Sequence, residues 1–108
     1  MRSLLALASI VAAPPVTTHD SAYGKIVFDT RGFVLYAFTA DKGSTSSCHG
    51  ACARAWPPYR RNGKQVVFKG HPLYYYVGDR KPRQILCQNV REYGGLWLVV
   101  RPNGTLVR

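Results

Sequence analysis

An eleven-residue segment of this chain recurs 38 positions further on, and that recurrence constrains the fold more tightly than any other feature of the sequence. Gly32-Phe33-Val34-Leu35-Tyr36-Ala37-Phe38-Thr39-Ala40-Asp41-Lys42 is answered by Gly70-His71-Pro72-Leu73-Tyr74-Tyr75-Tyr76-Val77-Gly78-Asp79-Arg80. Gly, Leu, Tyr, a second aromatic residue, Asp and a cation return in order without a gap. The repeat-motif residues are Gly32, Leu35, Tyr36, Phe38 and Asp41, matched by Gly70, Leu73, Tyr74, Tyr76 and Asp79. An apolar pair, Val27-Phe28 or Val67-Phe68, precedes each copy. Internal repetition of this kind fixes the organisation before any single element is assigned.

Each unit alternates with period two. Leu35, Ala37 and Thr39 fall on one face of a strand and Tyr36 and Phe38 on the other. The upstream segments Ile26-Val27-Phe28 and Val66-Val67-Phe68 have strand composition, so each unit reads as a β-hairpin whose turn carries the glycine. Pro72 cannot donate to a ladder and belongs at a strand start or an edge. Leu96 to Arg101 reads as another strand, and Pro102-Asn103-Gly104 turns it back into Thr105-Leu106-Val107. A short helix is expected near 50–56, within Cys48 to Ala55, stopped by Pro57-Pro58. The expected fold is mainly β: a compact antiparallel sheet from two repeated hairpins plus a closing hairpin. Residues 23–108 form a single duplicated domain, with half-repeats at about 24–58 and 64–101; 108 residues leave no room for a second core.

Residues 1–22 read as a signal-peptide-like segment and linker. One cation, Arg2, precedes an apolar run from Leu4 to Ala13 that is too short to span a bilayer as a helix. The chain as a whole is basic, with 15 Lys and Arg against five Asp and Glu. The cations are spread along the sequence, without a basic helix or finger-type zinc spacing. The partner is left open by the sequence; adhesion to an anionic cell-envelope polymer or membrane surface is the weaker alternative function that the charge suggests, and specific nucleic-acid recognition is not expected.

The repeated unit, together with Tyr23-Gly24-Lys25-Ile26-Val27, Ser47-Cys48-His49-Gly50-Ala51-Cys52-Ala53, Trp56-Pro57-Pro58, Gln65-Val66-Val67-Phe68 and Gly94-Gly95-Leu96-Trp97, resembles the bacterial secreted-repeat lipoproteins. That family is marked by a Tyr-x-(Phe/Trp/Tyr)-x-x-Asp motif. The resemblance implies an exported protein, often lipid-anchored, of unknown function. Three departures stand out. No Cys lies near the N-terminus, so a secreted or periplasmic form without a lipid anchor is expected. The segment between Pro58 and Gln65 is short. Pro82 to Val90 replaces a Gly-rich stretch and puts Cys87 where the family usually has Gly.

The chemistry-bearing residues are few. In an exported chain Cys48 and Cys52 are expected to form a disulfide. Helical residues four apart have Cβ atoms about 5–6 Å apart, whereas a disulfide needs about 3.5–4.5 Å, so the bond requires a bent turn, for which Gly50 supplies freedom. The helix would then begin near Cys52. The alternative is a metal or redox-cofactor site for copper, zinc or haem, with Cys48, His49, Cys52 and His71 as ligands. Cys87 is left over: buried, free, paired with a second chain in a dimer, or bridged to Cys48 across the pseudo-twofold. Asp41 and Asp79 read as turn caps or partners of a nearby Arg, or as a carboxylate pair at the twofold. Tyr36, Phe38, Trp56, Tyr74, Tyr75, Tyr76 and Trp97 read as core, or as the lining of a ligand groove. No nucleophile elbow, phosphate loop or Ser–His–Asp set is visible, so no enzyme is expected and no catalytic residue is assigned. The function expected is that of a non-enzymatic exported binding or structural module.

Overall fold

The computed structural model describes residues 15–108. The apolar run of the signal-peptide-like segment lies outside the described residues. The elements are β1 (Thr17–His19), β2 (Ile26–Phe28), β3 (Tyr36–Phe38), helix α1 (Ala51–Ala55), β4 (Arg60–Arg61), β5 (Lys64–Gln65), β6 (Val67–Phe68), β7 (His71–Pro72), β8 (Val90–Glu92) and β9 (Gly95–Val99). The described residues are mainly β with one short helix, as expected. Its strands form four small antiparallel sheets, β1-β2, β3-β9-β8, β4-β5 and β6-β7, joined by isolated bridges.

The alternation around Tyr36 buries both faces of its strand. Tyr36 and Phe38 join Ile26, Phe28, Trp56, Tyr74 and Trp97 in one core cluster. Leu35 and Ala37 join Val27, Tyr59, Phe68, Leu73 and Val100 in the other. The repeated strand is thus the partition between two cores, which explains why neither of its faces is polar.

The two halves are interlaced. β3, in the first half, pairs with β9 at the end of the second, with Tyr36 opposite Val99 and Phe38 opposite Trp97. The tyrosine strand of the second half pairs in turn with the end of the first. Tyr74 bridges Pro58, the Tyr75 N–H donates to Pro57 O at 2.8 Å and the Val77 N–H to Ala55 O at 3.0 Å. Thr39 N–H to Leu96 O, also 3.0 Å, is the counterpart of that last bond. The second ladder is thinner because Pro57 and Pro58 have no N–H to give. Where the halves meet, Tyr36 and Tyr74 exchange both backbone hydrogen bonds, at 2.8 and 2.9 Å. Equivalent residues facing each other mark the pseudo-twofold axis.

Both repeat glycines sit in turns. In the second copy β6 and β7 form a hairpin through Lys69-Gly70, with φ of 51° and 86°. Two successive positive φ values are those of a primed two-residue turn. In the first copy the loop is longer: Asp29 N–H donates to Phe33 O, Gly32 N–H to Asp29 O, and Phe28 bridges Val34. The strand that β2 pairs along its length is β1, so residues 17–19 are strand rather than linker. The closing turn forms through Arg101 N–H to Thr105 O and the Val100–Leu106 bridge. Helix α1 starts at Ala51, three residues beyond Cys48, in keeping with a bent cysteine loop.

Candidate functional site

The Tyr and Asp that recur in both copies of the repeat are spent on joining the halves. The Tyr36 hydroxyl donates to Asp79 at 2.7 Å, and the Tyr74 hydroxyl donates to Asp41 at 2.8 Å. Each tyrosine reaches the aspartate of the other copy. The second oxygen of each carboxylate caps a loop, Asp41 accepting the Ser47 N–H and Asp79 the Leu86 N–H. The capping expectation therefore holds in form, while the expected Arg partner is replaced by a tyrosine. With both oxygens of each so engaged, neither carboxylate has its partner in the other. Burial, then the facing carboxylate, pushes both tyrosine hydroxyls well above their ordinary range. Burial likewise raises Asp41 and Asp79, against the opposing pull of their hydrogen bonds.

The large rings form a palindrome about the same axis. Phe38 stacks on Trp97 (4.0 Å, 6°), Trp97 on Trp56 (4.1 Å, 6°), and Tyr76 leans on Trp56 (4.8 Å, 41°). Tyr36 meets Trp56 edge-on and Tyr74 meets Trp97 edge-on. Each well-placed ring pair adds about 0.5–1.5 kcal/mol beyond burial. Both tryptophans are fully buried, so the stack is core, although Phe38 at its end also borders a surface cleft. Their indole N–H groups both end on Glu92, Trp56 on its carboxylate at 2.9 Å and Trp97 on its backbone carbonyl at 3.1 Å.

Asp29 was not singled out in the sequence. It is 1% exposed and accepts the Arg31 and Phe33 N–H groups on one oxygen and the Tyr75 hydroxyl on the other, at 2.6 Å. Burial alone would raise it, but the bonds from Tyr75, Phe33 and Arg31 and the Arg31 charge together hold it below the usual carboxylate range. Four of the five acids, Asp29, Asp41, Asp79 and Glu92, thus take a proton donor from an aromatic side chain. Asp20 takes no aromatic donor and pairs at the surface with Lys25, and Glu92 is itself exposed. All fourteen Lys and Arg among the described residues are exposed.

Cys48 and Cys52 are bonded to each other. Both sulfurs are buried and engaged, so neither is a thiolate donor in this state, and among the described residues no group of three or more His, Cys, Asp and Glu side chains converges as a metal site requires. His49 is exposed and His71 lies in β7. The Cys48–Cys87 bridge is ruled out by this pairing: Cys87 is a free, half-buried thiol packed against the first core cluster. Burial first raises its pKa, against a hydrogen bond with Tyr76. Its backbone N–H donates to the Tyr36 hydroxyl at 3.3 Å. The matching Cys48 N–H reaches Ser46 Oγ, which in turn bonds the Tyr74 hydroxyl. The first half therefore has an additional serine link.

The loops after the two aspartates differ most. In the first half Lys42 and Thr45 close on each other through two backbone bonds, with Gly43 at φ 60°. This tight turn leaves a cleft of about 250 Å³ lined by Phe38, Thr39, Asp41, Gly43, Gly70, His71, Leu106 and Arg108. The repeat glycine Gly70 opens onto empty space: a Cβ there would have nothing within 4 Å. Its twin Gly32 is covered. Pro82 Cβ lies 3.3 Å from where a Cβ on residue 32 would stand, and Arg83 N–H donates to Gly32 O at 2.9 Å.

The described region is therefore an interlaced, pseudo-twofold β module held by reciprocal Tyr–Asp bonds. The family model described as a secreted repeat of unknown function matches it twice, over residues 17–60 and 59–101, and the chain belongs to that family. No curated protein and no solved structure matches it. Among the described residues no helix is long and apolar enough to cross a membrane.

Proposed function

We propose that this chain is a non-enzymatic, exported module of the cell envelope that adheres to anionic envelope polymers through its surface charge. Membership of a secreted-repeat family supports export. The observation that carries the binding reading is the division of charge. Three aspartates are drawn inward to hold tyrosine hydroxyls, while every described cation faces solvent. In the β4–β5 hairpin Arg61 lies directly opposite Lys64, an arrangement that costs stability unless an anion lies between or above the two. Among the described residues neither has an acidic partner, and the ion pairs present are Lys25–Asp20 and Arg31–Asp29.

Titration of the protein with poly(glycerol phosphate) over a range of salt concentrations tests this, with uncharged dextran as control. Binding should weaken linearly in log–log form as salt rises, because each neutralised phosphate releases a counterion. Equal affinity for dextran, or affinity indifferent to salt, would sink the proposal.

A further inference from the structure

The duplication lets one half of the molecule report what the other half can hold. At Gly32 the occupant is a turn of the chain itself. Gln84 N–H donates to Lys81 O at 3.2 Å, Pro82 stands at the second position and Arg83 at the third with φ 69°. Proline followed by a residue of positive φ is the pattern of a type II turn, a conformation that suits glycine at the third position and is strained for arginine. The turn tip covers the Gly32 Cα, its N–H reaches the Gly32 carbonyl, and the Arg83 guanidinium lies 5.5 Å above the Phe28 ring.

The pseudo-twofold carries each of these features to the other half. Gly70 stands where Gly32 does, with the same left-handed backbone (φ 86° against 91°). Among the described residues no backbone N–H donates to Gly70 O. Phe28 bridges Val34 as Val67 pairs with Pro72, so the second half has a valine where the first has the ring under Arg83, and no aromatic face there awaits a guanidinium. The segment corresponding to the plug, Ser44-Thr45, is folded back into the Lys42–Thr45 turn. What is missing at the open cleft is therefore a turn tip with one N–H, and no further cation. Arg108 and His71 line the cleft and Lys69 lies beside it. Asp41 also lines it, but both its oxygens already accept hydrogen bonds, from Ser47 and Tyr74. Charge complementarity there favours an acidic flank.

We propose that the open cleft beside Gly70 docks a proline-containing β-turn with acidic flanking residues, presented by a partner protein, for which the Lys81–Gln84 turn on Gly32 is the internal counterpart. The site is separate from general surface adhesion and does not depend on it.

The test is a titration of the full, isotope-labelled chain with a disulfide-cyclised peptide carrying Asp-Pro-Gly-Glu at its tip, followed by amide NMR. Two rings of the same size serve as comparisons, one with Lys-Pro-Gly-Lys and one with Asp-Ala-Ala-Glu. Shifts should concentrate at Phe38, Thr39, Gly43, Gly70 and His71, with both comparison rings binding more weakly. Arg108→Glu, at an exposed side chain that makes no hydrogen bond or ion pair among the described residues, should weaken the acidic ring about fivefold, the loss of one exposed charge pair. Absence of shifts at millimolar peptide would overturn the proposal. So would equal binding of the Asp-Ala-Ala-Glu ring, or shifts scattered over the cationic surface that vanish with salt; the latter would leave only the surface adhesion proposed above.

Discussion

Gly32 and Gly70 occupy the same place in the repeat, yet one is roofed by Pro82 and Arg83 while the other faces an open cleft. Beyond the turns that carry them, the two halves match closely. Both halves carry a tyrosine strand paired with the far end of the other half, a Tyr–Asp bond across the axis, and a tryptophan in the central stack. The difference begins one residue after each aspartate, where one loop closes on itself and the other reaches across. Residues that hold the halves together are tied to a partner in the other copy, so changing one strands its mate. The loops beyond the aspartates touch the other half through ties that are not reciprocal, Ser46 to the Tyr74 hydroxyl on one side and Arg83 to Gly32 on the other. Divergence of the two copies, and with it any specific activity, is expected in the loops.

The strongest challenge to the symmetric picture is at its centre. Trp56→Ala and Trp97→Ala should each cost about 3–5 kcal/mol in urea-induced unfolding, the usual range for removing a large buried ring. Similar losses are expected because each indole is sandwiched between two rings. A several-fold difference would show that the stack leans on one half.

The tyrosines sharpen the comparison. Asp79 is 8% exposed and its acceptor role rests on Tyr36 and Leu86, whereas Asp41 is half-buried and has the Ser46 hydroxyl close to its tyrosine. Tyr36→Phe leaves a buried carboxylate oxygen without a donor and should cost about 2–3 kcal/mol, while Tyr74→Phe should cost about 1 kcal/mol. The reverse order in chemical unfolding would mean that the clasp at Asp41 is the drier one.

The smallest effect is on pH dependence, and its sign separates Asp29 from the motif pair. Asp41 and Asp79 are raised by burial, so between the ordinary carboxylate value of 3.8 and their folded values the native state holds more protons than the unfolded chain. Their contribution is fully present below that window and is lost as pH rises through it. Asp29 is lowered, so its contribution is present above 3.8 and is lost as pH falls through its folded value. Unfolding midpoints taken across acid pH should show Asp79→Asn flattening the upper slope and Asp29→Asn flattening the lower one. Identical profiles for the two variants would contradict both assignments.

Much of this was legible in the sequence. Period-two alternation gave the tyrosine strands, Lys69-Gly70 and Pro102-Asn103-Gly104 gave their turns, and the demands of a four-residue cysteine spacing gave the late start of the helix. The interlacing was not legible. Period and composition show that Phe38 lies in a strand, but nothing local to it names Trp97 as its partner. The role of the acids was hidden for the same reason, since each bonds a ring distant in sequence. β8 was missed because Val90-Arg91-Glu92 lacks an apolar face, although Tyr93-Gly94 is a turn of the same primed kind as Lys69-Gly70. Asp29, ahead of Thr30-Arg31-Gly32, carried the one local signal that was available and unread: an acid opening a turn.

The interlaced pairing also sets a schedule. The strand that begins at Tyr36 meets Tyr74 at a single position, and its full ladder waits for a segment about sixty residues later in the chain to be made and to leave whatever conduit carries it. The first half cannot close early, however favourable its own composition. A chain built in this way stays threadable until its last strand arrives, and then both halves shut together.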